Sequence, residues 1–139
     1  MRFSRSSPFK TARCVIRYDN QFMLAVHSSF WARKERRWGL PGGRIERGED
    51  PRDTVRRELE EELDLYHDDY LDLGSFRYKG AQHAVFGADI DYKVTSYDDT
   101  ELLDLGWYDA TTIESMAAAG SLHAGYEWQA VQRYLEMTT

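Results

Sequence analysis

Trp38-Gly39-Leu40-Pro41-Gly42-Gly43 leads through Gly48-Glu49-Asp50-Pro51 into Arg57-Glu58-Leu59-Glu60-Glu61-Glu62. The proline and the paired glycines of the first stretch enforce a turn with unusual backbone angles. A helix then runs from about Pro51 to Leu63. Asp50 can cap it, Pro51 suits its first position, and Asp53 places a negative charge in its first turn. At ~100° per residue, Glu58, Glu61 and Glu62 fall within about a third of the helix circumference. Val55, Leu59 and Leu63 make the adjoining apolar face that anchors the helix to a sheet.

A stripe of three carboxylates works against helix stability. Glu58 and Glu62 are like charges at i,i+4, worth roughly 0.2–0.5 kcal/mol. Acids in the last turn also oppose the helix dipole, at ~0.3–1 kcal/mol each. Clustered hard oxygens are, however, what Mg²⁺ or Mn²⁺ takes as ligands. The composition of the helix alone equally suits a salt-bridged surface helix, because Arg56–Glu60 and Arg57–Glu61 are i,i+4 pairs.

The upstream glycines separate these readings. Gly43, five residues, Glu49, seven residues, then Arg57-Glu58-Leu59-x-Glu61-Glu62-x-x-Leu65 resembles the box of the Nudix (MutT-like) hydrolases, here residues 43–65. Its glycine and five charged letters alone, at background frequencies of ~6–7%, coincide at a given start about once in 10⁷. The segments flanking the box are also similar to that family. One departure is Asp64, where the family has a glycine that ends the helix in a left-handed conformation. Asp tolerates that conformation better than most residues.

The resemblance implies an α/β (α+β) fold, an α/β/α sandwich with a mixed β-sheet between helices, over a single domain of residues 1–139. It implies hydrolysis of a diphosphate linkage in a nucleoside diphosphate derivative: a nucleoside triphosphate, nucleotide sugar, ADP-ribose or similar compound. Glu58, Glu61 and Glu62, with the Gly42 carbonyl, would hold Mg²⁺ or Mn²⁺. Arg57 would orient the acids by pairing with Glu49 or Glu61. Glu61 is the preferred general base, with Glu62 beside it. A further acid often comes from a later loop, and Glu101 in Tyr97-Asp98-Asp99-Thr100-Glu101 is the candidate; a solvated acidic loop is the alternative. Arg44, Arg37 and Glu101 are the candidates for the substrate side of the site.

Outward from this core, Thr11 to Tyr18 alternates as a half-buried strand, Asp19-Asn20 is a tight turn, and Phe22 to Val26 reads as a buried returning strand. Leu71 to Tyr78 reads as a strand interrupted near Gly74. Ala84 to Val94 alternates most regularly, and Leu103, Leu105 and Trp107 continue the sheet. Thr112 is a cap for a short helix carrying Ile113, Met116 and Ala117. Ala124, Trp128, Val131 and Leu135 form one face of a last helix. Phe30, Trp31 and Trp128 are more suited to closing the core than to stacking on a base, and Arg33 to Arg37 to a solvated charge run. His27, His67, His83 and His123 show no metal-ligand spacing and are read as structural or surface residues.

The chain has 139 residues, 42% hydrophobic and 30% charged, enough for a core without disulfides, and only one cysteine, Cys14. A net charge of −6 disfavours a surface for extended nucleic acid. No membrane span or signal peptide is read, and the single cysteine points to a cytoplasmic protein. The expected partner is a small nucleotide, with a homodimer compatible with the resemblance. Two competing functions have the same fold. An isoprenoid diphosphate isomerase would need an acid–base pair, for which Cys14 within a strand is poorly placed. A nucleotide-sensing module tends to lose acids from the box, whereas Glu58, Glu61 and Glu62 are all present.

Overall fold

The computed structural model describes residues 7–28 and 36–139. Phe30, Trp31, Arg33 and Lys34, considered above, lie outside them. The elements run β1 (Phe9–Tyr18), β2 (Gln21–His27), β3 (Gly42–Arg44), α1 (Pro51–Leu63), β4 (Leu71–Tyr78), β5 (Ala81–Asp89), β6 (Leu102–Tyr108), α2 (Ala110–Ala118) and α3 (Glu127–Met137). The sheet order is β4-β5-β1-β2-β6, with β3 also paired to β1. The β1–β5 pair is parallel and the others antiparallel, so the sheet is mixed as expected.

Strand alternation divides the interior into two layers. Ala12, Cys14 and Ile16 of β1 and Ala84, Phe86 and Ala88 of β5 pack with Val55, Leu59 and Leu63 of α1. Val15, Leu24 and Val85 point the other way, against Ile113 of α2 and Ala130, Val131 and Tyr134 of α3. Helices therefore cover both faces. No helix among the described residues is long and apolar enough to cross a membrane.

The feature that positions the site is a local parting of β1 and β2. They pair only next to their turn, at Arg17↔Phe22 and Tyr18↔Gln21. Farther along, the chain from Gly39 to Arg44 runs between them. Gly39 exchanges two 2.8 Å backbone hydrogen bonds with Ala25 of β2, and Gly42, Gly43 and Arg44 pair with Arg13, Ala12 and Thr11 of β1. Gly42 adopts φ +135°, and a Cβ there would sit 2.3 Å from the Ala12 carbonyl oxygen, so only glycine fits.

Three sequence expectations shift. The strand read as Ala84 to Val94 ends at Asp89, because its parallel partner is exhausted at Arg17↔Asp89, next to the Asp19-Asn20 turn. Val94 is nonetheless buried, and its carbonyl accepts the Trp107 indole N–H at 2.7 Å. Asp109, not Thr112, caps α2: its carboxylate accepts from the Thr112 N–H. Ala124 precedes α3, although it packs in the same layer. The break expected in β4 falls at Gly74, where the β4–β5 register slips and φ is +86°.

Helix α1 starts and stops where its signals lie. Asp50 accepts from the Arg52 N–H, and Asp64 closes the last turn at φ 52°, ψ 36°. The Asp64 and Leu65 N–H groups return to the Glu60 and Leu59 carbonyls. Asp64 thus holds a left-handed conformation, and its charge faces the negative helix end. Asp64→Gly should raise unfolding free energy by about 1 kcal/mol, the relief of backbone strain and charge exceeding the added chain entropy. Urea unfolding at constant slope checks this, with a lowered midpoint as the contrary result.

Candidate active site

A cleft of about 670 Å³ opens where β1 and β2 part, with the acids of α1 at one end and the β4–β5 turn at the other. Within α1, Glu58 and Glu62 are one turn apart and buried, whereas the Glu61 side chain is 47% exposed on the rim. The glycine turn makes that burial possible. A Cβ at Gly43 would lie 2.2 Å from a Glu58 carboxylate oxygen, and the Gly42 N–H donates to Glu62 Oε1 at 3.2 Å. Glu101, in the loop before β6, is brought to the same place. One carboxylate oxygen from each of Glu58, Glu61 and Glu101 lies within 4.8 Å of the others. This all-oxygen set fits a hard divalent cation.

Burial, with the neighbouring Glu58 charge, pushes the Glu62 carboxyl up to about 9. Glu58 is raised as well, first by burial and then by Glu61 and Glu101, although Arg57 and Arg13 oppose this. His27, from the end of β2, faces Glu62 with Nδ1 3.6 Å from Oε2. Burial and the Arg13 charge bring His27 down to about 3, so this is no ion pair at neutral pH. Its Nε2 lies 3.0 Å from the Leu40 carbonyl, which selects the Nε2–H tautomer and turns the Nδ1 lone pair toward Glu62.

Arg57 is the clamp of the acid cluster. Its Nε and Nη2 bond both oxygens of Glu49 at 2.8 and 2.9 Å, and its Nη1 lies 3.3 Å from Glu61 Oε1. It also donates to the Arg44 carbonyl, tying α1 to β3. Glu49 accepts further bonds from the Thr54 hydroxyl and the Glu46 N–H. Arg57 and these donors hold Glu49 down to about 2, and Glu49 raises Arg57 further above its usual range.

The other sequence-singled residues separate. Arg44 lines the cleft. Arg37 donates to the Gly120 carbonyl and is not among the described residues lining the cleft. Trp128 packs in the α3 layer. His67 bonds the Asp69 carbonyl near the surface, whereas His27, His83 and His123 all line the cleft. Arg13 was not singled out by sequence reasoning. It lies at the heart of the cleft, donating from Nη1 to the carbonyls of Leu40 and Gly42 at 3.2 and 3.3 Å. The Gly42 carbonyl therefore has a cation beside it already. Arg13 falls at a polar position of an alternating strand, as Arg17 does, so nothing in the sequence set it apart.

The matching family model is the NUDIX domain, over residues 8–135. The chain belongs to the Nudix family. An uncharacterized Nudix hydrolase, YvcI of Bacillus subtilis (strain 168), is 30% identical over 121 residues, covering 79% of this chain and 72% of the relative. The fold is similar to the NUDIX domain of Shewanella oneidensis NrtR complexed with ADP ribose: TM-score 0.73, 19% identity, 97% of this chain and 91% of that one. It is also similar to a NUDIX hydrolase from Nitrosomonas europaea: TM-score 0.72, 20% identity, 94% and 90% covered. Family membership carries the enzyme class, a hydrolase acting on pyrophosphate bonds.

The clamp has a definite pH signature. Glu49 is depressed in the folded state, so its contribution to stability is complete above its ordinary value of 4.5 and fades as pH falls toward about 2. Glu49→Gln should destabilise the protein at pH 7 and flatten that part of its acid-denaturation profile. Profiles of the two proteins that remain parallel through this window would contradict the clamp.

Proposed function

We propose that this Nudix protein hydrolyses a diphosphate linkage in a nucleoside diphosphate derivative, with Mg²⁺ or Mn²⁺ as cofactor. The observation that carries the reading is the convergence of Glu58, Glu61 and Glu101 oxygens within 4.8 Å, at the edge of a cleft that also holds Arg13 and Arg44. Glu58, Glu61 and Glu101 would hold the cation, with Glu62 immediately behind them. A bound divalent cation neutralises phosphate oxygens and acidifies a coordinated water. The Gly42 carbonyl is a further oxygen at the edge of this set, shared with Arg13.

The chain's own residues divide the remaining tasks. Arg57 positions the acids through Glu49 and Glu61 and stands behind them, away from the substrate. Glu61 is the general base: it is the most exposed acid of the helix cluster, reachable by water, and Arg57 restrains its carboxylate. Arg13 and Arg44 present positive charge to phosphate oxygens that the acids would otherwise repel. Arg13 is part-buried and held by two carbonyls, so little reorganisation is needed when an anion arrives.

The test is a product-release screen with Mg²⁺ over nucleoside triphosphates, oxidised nucleotides, nucleotide sugars, dinucleoside polyphosphates and ADP-ribose, coupled to a phosphatase. Turnover of one class, abolished by a chelator and restored by Mg²⁺, is expected. Silence across the panel from folded, cation-binding protein would sink the hydrolase reading. Glu61→Gln should lower kcat by about 10²-fold or more without changing the melting temperature. Near-normal turnover in that variant would move the base elsewhere. Arg13→Gln should raise KM more than it lowers kcat while leaving the Mg²⁺ affinity of free enzyme close to normal; an unchanged KM would remove Arg13 from phosphate binding.

A further inference from the structure

The proposed chemistry uses the acid end of the cleft and leaves its opposite end without a task. That end carries Lys10 and Lys79, delivered from different strands by two departures from regular backbone. In the β1–β5 ladder, Phe9 pairs with Gln82 and Thr11 with His83, so Lys10 is an extra residue, a β-bulge. By strand parity Lys10 would follow Ala12, Cys14 and Ile16 toward α1; it lines the cleft instead, beside Thr11 and Arg13. Bulges re-aim side chains in this way.

Lys79 opens the two-residue turn of the β4–β5 hairpin, with φ +50° at Lys79 and +75° at Gly80. The β1–β2 hairpin meets the same backbone demand with Asp19 and Asn20, whose short polar side chains tolerate it. Lysine has no such local compensation, so its presence here needs another reason. Its ammonium lies 5.5 Å from the centre of the Tyr78 ring. Among the described residues neither lysine pairs with a carboxylate, whereas Arg17, Arg36, Arg56 and Arg57 each do. The wall behind them is fixed: His83 Nδ1 lies 2.7 Å from the Thr11 hydroxyl, and Tyr78 packs against His83 and His123.

We infer that this end of the cleft is a second phosphate subsite, in which Lys10 and Lys79 take a phosphate group of the substrate that is not part of the scissile diphosphate. The inference rests on the proposed function for the placement of that diphosphate at the acids. The ligand is anionic because the free groups are cations. The Lys79 ammonium already covers one face of Tyr78, which gives it a resting place until an anion arrives. Two substrate chemistries supply such a group: a phosphomonoester on the ribose, or the outer phosphate of a longer chain.

Calorimetry with Mg²⁺ and ligands lacking a cleavable bond distinguishes them. The ribose arm compares AMP with adenosine 2′,5′- and 3′,5′-bisphosphates. The chain arm compares methylene-bridged ADP with the fully methylene-bridged ATP analogue. In one arm the added phosphate should tighten binding about tenfold, the range of a charge-assisted contact. The Lys10→Ala, Lys79→Ala double variant should bring that ratio to within about twofold, while Lys93→Ala, outside the cleft lining, should keep it. Lys79→Asn should lose the ratio yet melt at a higher temperature, because the left-handed turn residue is relieved; a structural lysine would not show that combination. Ratios near one in both arms, ratios that survive the double variant, or no binding of any ligand would overturn the subsite. Turnover in the substrate screen with ratios near one would overturn the subsite alone. A lysine-dependent ratio without turnover would keep it and overturn the hydrolase reading.

Discussion

Two carboxylates, Glu58 and Glu62, are held one helical turn apart against the backbone of Gly42 and Gly43, out of bulk water. Neither charges easily there: burial raises both, Glu58 adds to the rise of Glu62, and Glu61 and Glu101 add to that of Glu58. Much of the surrounding construction follows from keeping them in place. Gly43 lacks the Cβ that would collide with Glu58, and Gly42 supplies the N–H that Glu62 accepts. The parting of β1 and β2 admits this glycine segment into the sheet. The apolar face of α1 fixes the helix at the depth that buries the two acids, while Glu61 stays at the rim.

Such an arrangement is unfavourable for a protein without a cation and favourable for one that binds it. The positive groups nearby are distributed accordingly. Arg57 spends its charge on Glu49 and Glu61 from behind the cluster, which orients the acids without filling the cleft. Arg13 is turned to the carbonyls of Leu40 and Gly42, leaving the Glu58, Glu61 and Glu101 oxygens grouped together. Opposite signs at the two ends of one cleft suit a polyanionic ligand partly neutralised by a metal: acids for the metal, cations for the phosphates left over.

Much of this was legible in the sequence where local chemistry decides the outcome. The bounds of α1 follow from Asp50, Pro51 and the apolar spacing, and its left-handed end falls at Asp64. Glu101 was selectable because it stands just before the strand that carries Trp107. What could not be read is set by tertiary placement. Helical spacing put Glu58, Glu61 and Glu62 on one stripe, but the glycine segment decides that Glu62 is buried and Glu61 exposed. Strand alternation assigns Arg13 and His27 to a face without disclosing that β1 and β2 part beneath it. The alternation of Ala84 to Val94 continues past Asp89, yet the ladder stops because β1 has turned away. The bulge at Lys10 leaves no mark in composition.

The central claim is that the buried acids are completed by a divalent cation. Mg²⁺ titration by calorimetry at pH 7.5, in buffers of differing ionisation enthalpy, tests it most directly. With Glu62 pushed up to about 9 in the free protein, Mg²⁺ binding should release about one proton, and Glu62→Gln should abolish that release. Mg²⁺ binding with no proton release, or release that persists in Glu62→Gln, would contradict the account.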